Sequence, residues 1–170
     1  IKTSVSDIYS ETMHPEEQVE YLIEALLPIK HKILGIVSGN HEERTYKQTG
    51  IDIMKSIARG LGLVNLYSLE GNLIFVSFGK NRNRDDVRHV ATIYHSHIGG
   101  TKAKLIAMSE IVEADLYFRS HYHNVEVKKM DIFRPDKRYK NIKKETKTFV
   151  QNGACLGYGG YGAVKGWAPG

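Results

Sequence analysis

Ile33-Leu34-Gly35-Ile36-Val37-Ser38-Gly39-Asn40-His41-Glu42 is the stretch on which the fold turns. A short apolar run that stops at Ser-Gly reads as a buried strand ending in a turn. The next three side chains are an amide, an imidazole and a carboxylate, groups that bind metal ions and move protons. In α/β proteins such groups gather on loops at the carboxyl ends of strands, so the placement of this stretch is as informative as its composition.

Upstream, Pro15 opens a segment from Glu16 to Ile29 in which Val19, Leu22, Ile23, Leu26 and Leu27 recur at helical spacing behind an acidic first turn, which predicts an amphipathic helix. The strand Ile33 to Ser38 follows, then the Gly-Asn-His-Glu turn, then a second helix from about Ile51 to Arg59, closed by Gly60 and Gly62. Helix, strand, loop, helix is an α/β rhythm. Leu73 to Phe78 and Val90 to Tyr94 are aromatic and β-branched, and the charged segment between them suits an antiparallel hairpin. A helical pattern opens at Gly99-Gly100 and runs to about Glu113. Asp115 to Arg119 is a short strand running into Ser120-His121-Tyr122-His123. Val125 to Phe133 alternates as a strand, Thr146 to Val150 is its return partner, and Gly153 to Gly170 is rich in glycine and tyrosine. The chain shows no internal repeat and no linker, so residues 1–170 read as one domain.

At 170 residues, with 41% hydrophobic and 25% charged side chains, disorder is not the expectation; a domain of this size buries about two thirds of its unfolded surface. No apolar stretch reaches the roughly 18 residues needed to span a bilayer, and the first residues show neither an apolar core nor a cleavage pattern. A soluble, cytoplasmic protein without a membrane partner is expected. One cysteine, Cys155, excludes an internal disulfide and a Cys-rich zinc site, so any metal is held by nitrogen and oxygen. The net charge of +5 is local: seven basic residues against Asp136 and Glu145 lie between Arg134 and Lys147, and the rest of the chain balances. Such a strip is either a phosphate-contacting surface or a solvated hairpin whose lysines discourage edge pairing.

Three strand ends supply metal-ligand candidates: Asn40 with His41, His95 with His97, and His121 with His123. Imidazoles two apart in a loop can address neighbouring ions. Two ions about 3.5 to 4 Å apart clamp a phosphate and acidify a water. An asparagine carbonyl adds a neutral oxygen ligand, and a further imidazole can protonate a leaving group near neutral pH. His14, His31 and His89 have no such company.

These residues resemble the calcineurin-like metallophosphoesterases, and within them the versions carried by phages and prophages. The family signature runs Asp-x-His, Gly-Asp, Gly-Asn-His-Glu/Asp, a His usually followed by Gly, and Gly-His-x-His. Gly39-Asn40-His41-Glu42 matches the third block unchanged. His95-Ser96 and Ser120-His121-Tyr122-His123 fit the fourth and fifth with serine in the glycine place, and the spacing between them is of the phage type. The resemblance covers most of the chain, and Gly39 to Glu42 is its specific part.

The resemblance implies an α/β (α+β) four-layer sandwich, two mixed sheets face to face with helices outside, in the cytoplasm of a bacterial or phage-infected cell. It implies a hydrolase of phosphoesters, with a phosphodiester favoured and nucleic acid among the candidate substrates. Carried over residue by residue, it sets Asn40, His95 and His121 on one ion, His123 on the other, and His41 as the uncoordinated acid. His97 is the alternative to His95, which sits nearer the end of its apolar strand. Glu42 orients or caps, and Arg44 is a candidate for facing a phosphate oxygen. Manganese, iron, zinc and nickel all suit such ligands.

Neither Asp-x-His nor Gly-Asp precedes Gly39. In the family those blocks supply the bridging carboxylate, without which two divalent ions repel at close range. The expectation is an amino-terminally incomplete domain in which the second-metal set binds weakly at most, and a sheet edge through which copies associate as a homo-oligomer. Two further readings stand beside this one. One is a nucleic-acid-binding module that uses Arg134 to Lys147 and keeps its histidines structural. The other is a mononuclear zinc hydrolase built on His95, His121 and His123.

Overall fold

A computed structural model describes residues 12–84, 86–95, 105–122, 124–136 and 138–153. The chain is mixed α/β, with a two-stranded and a five-stranded sheet and accompanying helices. It divides into two compact units, Ile1–Asn72 and Leu73–Gly170.

In the first unit, helix α1 spans Pro15–Leu26. Proline suits the first helical position because its missing N–H is unpaired there in any case. The backbone N–H of His14 donates to Glu17 Oε2 at 2.7 Å, and Glu16 and Glu17 complement the positive end of the helix. The helix stops short of the expected Ile29 because Pro28 cannot continue it, and Leu27–Lys32 tightens into a 3-10 turn. The expected strand from Ile33 shrinks to β1, Ile36–Val37, which pairs in parallel with β2, Tyr67–Ser68. Helix α2, Asn40–Thr49, follows at once. Periodicity does not reveal it, since its sequence is polar almost all round. Its support is local: acids in the first turn, the Glu43–Lys47 ion pair at 2.6 Å and Gly50 at φ 72 to end it.

Helix α3, Ile53–Leu61, is capped by Asp52, whose Oδ1 accepts from Lys55 N at 2.9 Å, and it ends at Gly62 with φ 74. Ile57, Ala58 and Leu61 form the buried core with Ile36, and Val19, Ile23 and Leu26 of α1 pack against it. A Cβ at Gly60 would lie 2.5 Å from Ile23 Cδ1, so α1 and α3 approach closely at that point. The second Asp52 oxygen accepts from the Tyr67 hydroxyl at 2.8 Å, which ties β2 to the start of α3.

The second unit is built on a sheet of order β3-β4-β5-β7-β6. Its strands are β3 (Asn72–Lys80), β4 (Asp86–His95), β5 (Leu116–Ser120), β6 (Glu126–Asp136) and β7 (Asn141–Gln151). The short connection from Lys80 to Asp86 returns β4 beside β3 as a hairpin, since parallel neighbours need a longer crossover. β4 and β7 both run parallel to β5, while β6 is antiparallel to β7. Of the helix expected from Gly99 to Glu113, the described part is a 3-10 segment, Leu105–Glu110.

Tyr117 and Phe149 stack at 4.6 Å on neighbouring strands and form the core with Met108 and Ala114. The Tyr117 hydroxyl accepts from Ala114 N and donates to Val112 O, and buried Lys147 donates to it at 3.2 Å. A phenol in the core therefore has its polar end satisfied, and it fastens the segment after the 3-10 turn onto the sheet.

Candidate metal centre

Asn40 and His41 belong to the first unit. The turn of β1 into α2 leaves Asn40 as the first residue of the helix with only 7% of its surface exposed, behind Gly39 at the N-cap. His41, one residue on, is exposed, as is Arg44, while Glu42 and Glu43 are half-buried in the first turn. Gly-Asn-His-Glu is thus the start of a helix as well as a turn. One helical step separates a sheltered amide from an imidazole open to solvent.

His95 and His121 belong to the second unit. The parallel register pairs His95, the last residue of β4, with Ser120, the last residue of β5. His121 follows immediately with φ 92. The two imidazoles meet with centroids 5.3 Å apart and planes at 82°. They sit at the carboxyl ends of adjacent parallel strands, where ligand sites of open α/β sheets collect. A positive φ on a residue with a Cβ is uncommon and is sustained only where the surroundings enforce it.

Those surroundings include residues that motif reading passed over. Tyr122 sets its ring edge to face against His121 at 5.3 Å. The Arg119 guanidinium lies 4.5 Å above the Tyr122 ring and donates to Gln151 Oε1. Gln151 Nε2 in turn donates to Asn124 O and Oδ1. Arg119 is 5% exposed. Its position was legible from strand alternation, since it shares the parity of buried Tyr117.

The structure therefore brings His95 and His121 together. His97 and His123 lie outside the described residues. Among the described residues no group of three or more His, Cys, Asp or Glu side chains gathers to hold a metal ion, and no helix is long and apolar enough to cross a membrane. No protein-family model, curated protein or solved structure matches this chain.

Proposed function

We propose that this chain carries metal-binding elements of a calcineurin-like metallophosphoesterase, a hydrolase that cleaves a phosphoester, favourably a phosphodiester, at a dinuclear metal centre. The observation that carries the reading is the approach of the His95 and His121 rings at the ends of two parallel strands. At 5.3 Å between centroids the pair suits a shared ion, with metal–nitrogen bonds of about 2.0–2.1 Å.

In this proposal Asn40, His95 and His121 are the set that the resemblance carries over for one ion, and His123 serves the other. Manganese, iron, zinc or nickel, when bound, would supply positive charge to the phosphate oxygens and lower the pKa of water so that it can attack phosphorus. His41 gives its proton to the departing alkoxide as the P–O bond breaks. The contributions of Asn40, His41 and His123, and the four-layer sandwich that would hold them, rest on the order of sequence blocks. The ion at His95 and His121 is the one expected to bind, since these two imidazoles approach each other.

Metal content after purification without chelator, measured on the wild type and on His121→Ala, tests this. The expected result is at most one weakly held ion per chain, lost on substitution, with bis(p-nitrophenyl) phosphate hydrolysis appearing once a segment carrying the Asp-x-His and Gly-Asp blocks is joined to the chain. Failure to take up any ion in millimolar manganese would sink the reading.

A further inference from the structure

The sheet of the second unit is not equally wide along its length. β5 pairs with β7 only from Thr148 to Gln151. Farther along, β7 from Asn141 to Lys147 pairs with β6 alone among the described residues, from Met130↔Lys147 to Asp136↔Asn141. These rungs make a two-stranded ribbon roughly 20 Å long at about 3.4 Å per residue. We propose that this ribbon is a nucleic-acid-binding arm, which seats against a duplex and contacts its phosphates. The proposal is independent of the hydrolytic reading, since it requires binding whether or not a phosphoester is cut.

Charge is the first argument. The hairpin from Glu126 to Gln151 holds nine basic and four acidic residues, a net +5, equal to that of the whole chain. Edge protection would place lysines on both strands of the ribbon, since among the described residues each has an unpaired outer edge there, yet β6 from Asp131 to Asp136 carries one arginine against two aspartates. The surplus sits instead in the turn, at Arg138 and Lys140, and on β7, at Lys143 and Lys144. That is a charge pattern for a polyanion reaching the end and flank of the ribbon.

The second argument is what the local acids do. Asp136 Oδ1 accepts from the backbone N–H of Arg138 and of Tyr139, so its carboxylate builds the turn. Lys140 closes that turn at φ 51. Arg138 and Lys140 pair with no carboxylate among the described residues, and the Arg138 guanidinium stands 5.3 Å from the Tyr139 ring. Lys143 and Lys144 do have carboxylate partners, half-buried Glu145 and exposed Asp131, with both ammonium groups open to solvent. Such pairs are weak and yield to phosphate.

Shape supplies the third. A two-stranded β-ribbon is one of the two elements that the roughly 12 Å major groove of B-DNA admits. The register sets Phe133 opposite Lys144 and Pro135 opposite Ile142 on one face. Phe133 and Ile142 are 63% and 70% exposed. They are suited to meet sugar and thymine methyl groups while the lysines reach the backbone.

The test is fluorescence anisotropy of a labelled 20-base-pair DNA duplex in EDTA, which stops metal-dependent cleavage, across sodium chloride from about 50 to 200 mM, concentrations at which phosphate contacts dominate affinity. Wild type is compared with Arg138→Glu/Lys140→Glu, and with Lys30→Glu/Lys32→Glu as a control that changes net charge equally outside the hairpin. Far-UV circular dichroism confirms that each variant is folded. The expected result is at least a tenfold affinity loss for the arm variant, with a salt slope reduced by about 1 per phosphate contact removed, and little change for the control. Equal loss in both variants overturns the proposal, as does the absence of saturable binding at low salt. So does tighter binding to a single strand of the same length, or binding only to phosphatidylserine vesicles.

Discussion

His95 and His121 face each other edge to face at 5.3 Å because two parallel strands end in register and the second of them turns at once through a positive φ. The pair is a consequence of strand alignment; a one-residue slip of β5 against β4 would move the His121 side of the pair out of reach. A site built this way trades local backbone comfort for ring position.

That trade is measurable. Glycine adopts a positive φ without the Cβ clash, which costs other residues about 1–2 kcal/mol. His121→Gly is expected to leave stability unchanged or raise it by up to about 1 kcal/mol in urea unfolding, while metal uptake is lost. A destabilisation beyond about 2 kcal/mol would show that the ring serves packing instead.

Tyr67 contributes to the alkaline limb of stability in the first unit. Burial, then the hydrogen bond to Asp52 and the charge of Asp52, push its phenol well above the usual range. Its neutral form is therefore retained in the folded chain at pH values where the unfolded chain ionises. The stabilisation is complete below about pH 10, the ordinary phenol value, and is lost as pH rises beyond it. Tyr67→Phe is expected to cost about 1.5 kcal/mol at neutral pH and to flatten the loss above pH 10, both read from urea midpoints at several pH values.

On the arm the sign is opposite. The Lys144 ammonium and the Thr146 hydroxyl hold the Asp131 carboxyl below the usual carboxylate range, and Lys143, followed by Arg134, does the same for Glu145. Their contribution is present above the ordinary carboxylate values and is lost as pH falls through the lowered ones. Lys144→Met should raise the Asp131 titration midpoint in carboxyl carbon NMR and leave Glu145 in place. An Asp131 midpoint that stays put would exclude Lys144 as the cause.

Close helix contact in the first unit sets a further expectation. Gly60→Val forces a side chain into the space of Ile23, and overpacking of that kind costs about 1–3 kcal/mol. Ile23→Ala in the same chain should recover part of that loss, giving a coupling energy of about 0.5 kcal/mol or more in a double-mutant cycle. Strict additivity would mean the two helices separate without local strain.

Elements whose signal is local were legible in the amino-acid order. Helical spacing from Val19 to Leu26 gave α1, and the residues around Ile57 gave α3 with its glycine stop. Short β-branched and aromatic runs gave the strands that end at His95 and at Ser120, and alternation gave the β6–β7 hairpin. Helix α2 was hidden because its ten residues carry no apolar period; the reading of Gly39 to Glu42 as a turn took in the first three residues of a helix that its C-terminal glycine cap and an i,i+4 ion pair sustain.

What depends on partners distant in sequence emerged with the fold. The meeting of His95 with His121 follows from the register of β4 and β5 across 25 residues of chain. The burial of Arg119 and Lys147, residue types that composition assigns to the surface, follows from Gln151 and Tyr117 on neighbouring strands. The two-stranded stretch of the ribbon exists because five-residue β5 is too short to accompany eleven-residue β7. Hydrophobic period and turn chemistry act between near neighbours and are written in order along the chain. Register and strand overlap are set by pairing energies summed across the sheet, and no single stretch of sequence contains them.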